Sequence, residues 1–271
     1  LNYIQLRDGT LLSAMVRPPL GNSFAPGRRF STLVEYSGYA AADPDNPQAS
    51  TLIASALGYA TVTVNMRGSG CSGGAIDLFD LPTTADGYDI VEIVGNQPWV
   101  LGDGVGMIGI SFPGISQMFV AGAQPPHLVA VAPFSIIGDI YRAPGFPGGI
   151  FNNGFAETWL QERADDAQPA PEGGQSWAVQ RVNNGDTTCL ANQKLRLQTQ
   201  DPVQFTQSQP YYVPSLMDAR SPSTWAPNIQ VPMFVSGAWQ DEQTGSGFVT
   251  LLKSLPKRRD VRIMLTNGVH S

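Results

Sequence analysis

A serine flanked by glycines, in the run Gly109-Ile110-Ser111-Phe112-Pro113-Gly114, follows a short apolar stretch (105–108) and precedes one with helical character (115–121). A hydroxyl on so sharp a strand-to-helix turn stands clear of the sheet edge, and the neighbouring side chains must be small. The helix that follows points its first N–H groups and its positive dipole end at the same place. An oxyanion formed beside the serine would meet donors already in position. The strict pattern is Gly-x-Ser-x-Gly, and here Pro113 stands where the second glycine is due, with Gly114 one residue later.

A serine nucleophile needs a base, and the chain has only two histidines, His127 and His270. Where a serine turn of this kind carries a triad, its partners follow in the chain order Ser, acid, His, and His127 comes too soon after Ser111 for an acid-bearing strand to intervene. Its expected role is structural, at a helix end or a turn. His270 follows an apolar-rich run (261–266), in a loop just beyond an expected strand. The acid follows from the same order. Residues 231–237 read as a buried strand, with Ala238-Trp239-Gln240-Asp241 next, and one helix (245–255) and one strand fit between Asp241 and His270. Glu242 and Asp139 compete for this role, and the spacing favours Asp241. In that position it would hold the imidazole tautomer and stabilise the imidazolium.

The elements that must carry these residues are legible in outline. Residues 1–17 read as a hairpin, 32–36 and 59–64 as strands, 49–57 as a helix ending at Gly58, and 84–94 as a second helix. Strands alternating with helices imply an α/β fold, a mostly parallel sheet with helices on both faces. The alternation fails between about 136 and 228, a segment rich in Gly, Pro, Gln and aromatics with helical pieces near 155–163 and 191–198. The expected organisation is therefore a core of 1–135 and 229–271 with an inserted, largely helical cap at 136–228.

Bulk properties narrow the function classes. A chain of 271 residues, 42% hydrophobic, can bury a substantial core. No run approaches the roughly 20 apolar residues of a membrane-spanning helix. A net charge of −6, with lysine confined to Lys194, Lys253 and Lys257, argues against a nucleic-acid partner. Cys71 and Cys189 could pair or both be free, and two cysteines do not fix the compartment, cytoplasmic or secreted. Oligomeric state is equally open. Leu1 is not an initiator Met and the sequence stops one residue after His270, so both ends are expected to be cut.

Gly68-x-Gly70-x-x-Gly73 follows a strand and so has the form of a dinucleotide-binding fingerprint. Such a loop should open a helix. Here a short stretch ending at Pro82 follows, which weakens that reading. There is no Gly-Lys-Ser/Thr phosphate loop and no zinc-ligand spacing, so no metal or organic cofactor is expected.

Several segments together resemble one family, the cocaine esterase and Xaa-Pro dipeptidyl peptidase-like (CocE/NonD) serine hydrolases of the α/β-hydrolase superfamily. They are Leu6-Arg7-Asp8-Gly9-Thr10, the Arg67-Gly68 loop through Gly74, Gln97-Pro98-Trp99, the Ser111 turn and Gly237-Ala238-Trp239-Gln240-Asp241, all in the family's order. The family tolerates a second residue between the serine and the next glycine, which accounts for Phe112-Pro113-Gly114. The resemblance implies an oxyanion hole made by the backbone N–H of Phe112 and a tyrosine hydroxyl after an early strand, with Tyr36 at that position and Tyr39 as the alternative. It implies a substrate-lining role for the cap aromatic Trp159, with Trp239, which adjoins the acid, as the second substrate-binding candidate. It also implies a C-terminal jelly-roll domain after the histidine, which this sequence does not contain. Amino-ester acylases of the family carry ammonium-binding carboxylates where this chain has Gln243 and Thr244, so that specificity is not expected.

The expected activity is hydrolysis of an acyl ester or amide, including Xaa-Pro peptides, through an acyl-enzyme on Ser111. The substrate would be a small molecule or short peptide. Two other readings are a catalytically silent binding domain of the same fold and a nucleotide-dependent enzyme using the Gly68 loop.

Overall fold

The computed structural model describes residues 1–270. Among them, strands β1 (Asn2–Gln5), β2 (Leu11–Arg17), β3 (Phe30–Ser37), β4 (Ala60–Asn65), β5 (Val100–Ile110), β6 (Leu128–Phe134), β7 (Met233–Ala238) and β8 (Val261–Thr266) form one sheet. Its spatial order is β1-β2-β4-β3-β5-β6-β7-β8. The first two strands make the expected hairpin, and β2 runs antiparallel to β4. From β4 across to β8 every pairing is parallel. Parallel strands covered on both faces read as continuous apolar runs. Accordingly β4 is buried at all its positions, and Val34, Val62, Val64, Val105 and Met107 lie at the heart of the core.

Helices α1 (Ala49–Ala56), α2 (Leu81–Gly95) and α3 (Phe112–Gly122) connect the central strands. Every residue of α3 is buried, which fits a helix packed between the sheet and its neighbours. Pro82, expected to end a short stretch, instead opens α2. Proline lacks an N–H, and the first helical turn has no use for one. Asp80 caps that turn, its Oδ1 accepting from the Thr83 N–H at 2.8 Å.

Between β6 and β7 the chain forms α4 (Phe155–Asp166), α5 (Ser176–Asn183), α6 (Thr187–Asn192), α7 (Pro202–Gln207), α8 (Pro214–Met217) and α9 (Pro222–Trp225), while α10 (Phe248–Ser254) joins β7 to β8. The expected helical piece near 191–198 begins earlier, at α6, which Asp186 caps at the Cys189 N–H, and continues as a 3-10 turn over Gln193–Leu195.

This long connection is clasped to the Gly68 loop. Cys71 and Cys189 form a disulfide, and Asn192 Nδ2 donates to the Cys71 carbonyl at 3.0 Å. The buried guanidinium of Arg196 donates to the carbonyls of Gly68, Gly70 (2.7 Å) and Ser72 (3.0 Å). A phosphate cradle needs open backbone N–H groups at a helix N-terminus. Here the loop presents carbonyls, and a side chain of its own protein already occupies them. The nucleotide reading of Gly68–Gly73 is therefore corrected: the loop anchors the 135–232 connection.

Because β3, β5, β7 and β8 all run in one direction, the loops after them emerge along one edge of the sheet. In open parallel sheets that edge is where ligands bind. Tyr39, Ser111, Asp241 and His270 all lie just past these strand ends.

Candidate active site

Ser111 adopts φ +64° and ψ −125°, a conformation that costs a non-glycine residue on the order of 1–3 kcal/mol. Its surroundings hold it there. The Ser111 N–H donates to the Phe134 carbonyl at 2.9 Å, and its own carbonyl accepts from Ile115 N–H at 2.7 Å. Room for the turn comes from two glycines. A Cβ on Gly109 would meet Pro113 Cβ at 2.6 Å, and one on Gly114 would meet the Phe134 carbonyl oxygen at 2.4 Å. Gly114 thus supplies the small residue that Pro113 cannot. Phe112 is the first residue of α3, so its N–H has no partner within the helix.

Two loops at the other end of the sheet are stitched together. Trp239 N–H donates to the Thr266 carbonyl at 3.0 Å and Gln240 N–H to that of Gly268 at 3.1 Å. This register brings His270 Nδ1 to within 2.7 Å of Asp241 Oδ2. The other oxygen, Oδ1, accepts from the N–H groups of Gln243 (2.9 Å) and Thr244 (2.7 Å). Burial would raise the Asp241 pKa, but the bonds from His270 and Thr244 outweigh it and hold the carboxyl below its usual value. With Nδ1 turned to a carboxylate, the imidazole lone pair lies on Nε2. That atom is buried and accepts no hydrogen bond within the described protein.

The competing acids have other work. Glu242 accepts from the backbone N–H of His270 at 3.0 Å, a bond that holds its carboxyl below the ordinary range. Asp139 caps the turn that follows it, accepting from the N–H groups of Tyr141 and Arg142 at 2.8 Å each. His127 sits far from this edge, bonded through its N–H and ring to Glu92 at 2.9 and 2.8 Å.

The two tyrosines part company. The structure does not bring Tyr36 to the elbow. It lies within β3, 1% exposed, and its hydroxyl donates to the Thr83 carbonyl at 3.1 Å. Burial pushes that hydroxyl's pKa well above its usual value. Tyr39, past the strand end, packs edge-on against Phe112 at 5.4 Å between ring centroids. Its oxygen accepts the indole N–H of Trp159 at 2.9 Å, and the Arg163 guanidinium lies 4.7 Å from its ring centre. Phe79 and Trp159 close on Phe112 from other sides, at 5.0 and 5.3 Å. This aromatic cluster cannot be read from the sequence, since its members come from four separate segments.

A cavity opens beside Ser111, lined among others by Phe112, Ile115, Ile140, Trp159, Leu160 and Thr244. It is strongly apolar. Thr244, whose N–H is bonded to Asp241, links this cavity to the Asp241 turn. Trp239 does not line it; the residue is 52% exposed and its ring leans on Phe248 at 5.0 Å. No group of residues suited to a metal ion occurs among the described residues.

The sheet order, with a strained serine between strand and helix at the edge where the parallel strands end, defines the α/β-hydrolase fold. Residues 8–271 match the model of the X-Pro dipeptidyl-peptidase (S15) family, and the chain belongs to that family. It is 38% identical over 105 residues to a Mycobacterium bovis protein named as a serine esterase, an alignment covering 38% of this chain and 17% of that one. To the cocaine esterase of a Rhodococcus species it is 37% identical over 96 residues, 35% of this chain and 16% of the relative. A CocE/NonD family hydrolase from Staphylococcus aureus has the same fold, with a TM-score of 0.75 at 21% identity over 99% of this chain and 46% of that one. The chain thus spans about half the length of that structure. The resemblance drawn from the motifs and the α/β-hydrolase fold expected from it both agree with these comparisons.

Proposed function

We propose that this protein is a serine hydrolase that cleaves acyl esters or amides through an acyl-enzyme on Ser111. One observation carries the reading: a strained serine shares an edge of the sheet with an Asp241–His270 pair whose Nε2 is buried and unbonded. In the reaction, Ser111 Oγ attacks the carbonyl carbon as His270 Nε2 takes its proton, and Asp241 stabilises the imidazolium. The oxyanion is held by the Phe112 N–H and the Tyr39 hydroxyl. Tyr39 replaces Tyr36 in this role because its oxygen already accepts from Trp159, which leaves its own proton to donate. The imidazolium then protonates the leaving group, and water, activated by His270, releases the acid from Ser111.

Residues 136–228 act as a cap over this edge, with Trp159 its contribution to the pocket wall. The apolar lining supports uncharged acyl groups. Gln243 and Thr244 give an ammonium group no carboxylate, and their N–H groups are engaged by Asp241. No helix among the described residues is long and apolar enough to cross a membrane. The buried Cys71–Cys189 bridge supports an oxidising compartment as the place of work. The test is hydrolysis of p-nitrophenyl esters, anilides and Xaa-Pro anilides by the wild type and Ser111→Ala. Turnover of at least one class that disappears in Ser111→Ala is expected. Turnover that survives the substitution would end the proposal, and a folded wild type inert on all three would favour a silent binding domain.

A further inference from the structure

Behind the cavity at Ser111 lies a second one, of about 350 Å³, that the proposed chemistry does not use. The two share a wall, since Ile140, Gly145, Leu160 and Thr206 face both. At Gly145 that wall has no side chain. The far chamber is lined by Tyr141, Phe146, Phe205 and Met217. Tyr141, Phe146 and Met217 form a buried cluster of their own, apart from the main core, with the two rings stacked at 4.6 Å.

Its charged neighbours are already committed. Arg220 is paired with Asp77 at 2.7 Å and donates to the Leu78 carbonyl at 2.6 Å. Arg163 is paired with Asp166 at 2.8 Å. A charged ligand group would have to displace one of these pairs, at the cost of leaving its partner unpaired. An apolar group displaces nothing and gains from burial.

We propose that the acyl chain of the substrate passes the Ile140–Leu160–Thr206 wall at Gly145 and ends in this chamber. The preferred substrates are then esters of medium-to-long, unbranched apolar acids, in place of acetyl or aminoacyl esters. This rests on the reading of Ser111 as nucleophile. Each methylene buried on the way is worth about fourfold in kcat/KM.

The experiment measures kcat/KM for p-nitrophenyl acetate, butyrate and octanoate on the full chain and on Met217→Trp, whose indole would fill the chamber. Octanoate should exceed acetate by at least about tenfold in the wild type, and Met217→Trp should cut the octanoate-to-acetate ratio by a similar factor. A wild type that favours acetate, or a ratio that Met217→Trp leaves unmoved, overturns the proposal. Should Met217→Trp not fold, Phe205→Trp, on a half-buried position of the same chamber, carries the same comparison. A small ethyl fluorophosphonate applied to the same preparations separates the two failures. Labelling at Ser111 with a flat chain-length series removes the chamber alone, whereas an unlabelled Ser111 removes the nucleophile on which it depends.

Discussion

The indole N–H of Trp159 donates to the hydroxyl oxygen of Tyr39 at 2.9 Å, across 120 residues of sequence. One partner stands at the end of a sheet strand and the other on a helix of the long connection over it. The bond leaves the tyrosine's own proton available to donate elsewhere. With one lone pair occupied by Trp159, the O–H swings away from the indole, and the Phe112 ring beneath fixes the phenol in place.

Tyr39→Phe should therefore lower kcat by about 10²–10³, with little change in melting temperature, as expected for loss of one oxyanion donor. Tyr36→Phe should do the reverse. It removes a buried hydrogen bond to the Thr83 carbonyl, costing about 0.5–1.5 kcal/mol of stability, and it should leave kcat near wild type. Steady-state kinetics and thermal melts on the two variants check both halves. The opposite pattern would return the oxyanion role to Tyr36.

Asp241→Asn should reduce kcat by about 10³–10⁴, because an amide facing Nδ1 favours the wrong imidazole tautomer. The same substitution has a pH signature. Asp241 titrates below its usual 3.8 in the folded state, so its ionised form contributes stability that is present above that value. That contribution is lost as pH falls through the lowered folded pKa. The melting temperature of wild type should exceed that of Asp241→Asn at neutral pH, and the gap should close below about pH 4. A gap independent of pH would show that the carboxylate's charge is not what His270 and Thr244 stabilise.

Gly114→Ala should cripple both folding and activity. Its methyl would lie 2.4 Å from the backbone oxygen of Phe134, which also accepts the Ser111 N–H and so cannot retreat without opening the elbow. Loss of soluble protein, or a melting temperature many degrees lower, is the expected result. A variant as stable and active as wild type would mean that the turn tolerates a side chain there.

Much of the fold and of the candidate site is legible in the sequence itself. Ser111 stands out as a candidate because a sharp strand-to-helix turn constrains its immediate neighbours, and Asp241 and His270 because each follows a late expected strand, in the two loops that meet at 2.7 Å. The two tyrosines cannot be separated in that way. They lie three residues apart, and only the end of β3 at Ser37 determines that Tyr36 points into the core while Tyr39 reaches the edge. Pro82 misleads because proline marks either side of a helix boundary, and the Asp80 cap decides which. The disulfide stays open at the level of sequence because nothing local links Cys71 to Cys189; their meeting depends on how the whole 135–232 connection folds back.

That connection supplies a further expectation. The Cys71–Cys189 bridge closes a separation of 118 residues, for which the chain-entropy argument gives on the order of 4–5 kcal/mol. Replacing both cysteines by serine should lower the melting temperature by several degrees or more, and protease cleavage within 135–232 should quicken. Arg196 would still hold the Gly68 loop, so a partly clasped state is the expected product. Unchanged melting and proteolysis would mean that the polar contacts alone secure the connection.

Whether Ser111 is an activated nucleophile, the central claim, is tested most directly by fluorophosphonate labelling read out by peptide mass spectrometry. The expected result is one adduct, on the peptide containing Ser111, that disappears in Ser111→Ala and forms far more slowly in His270→Ala. An adduct on any other serine, or a folded protein that takes up no label, would contradict it.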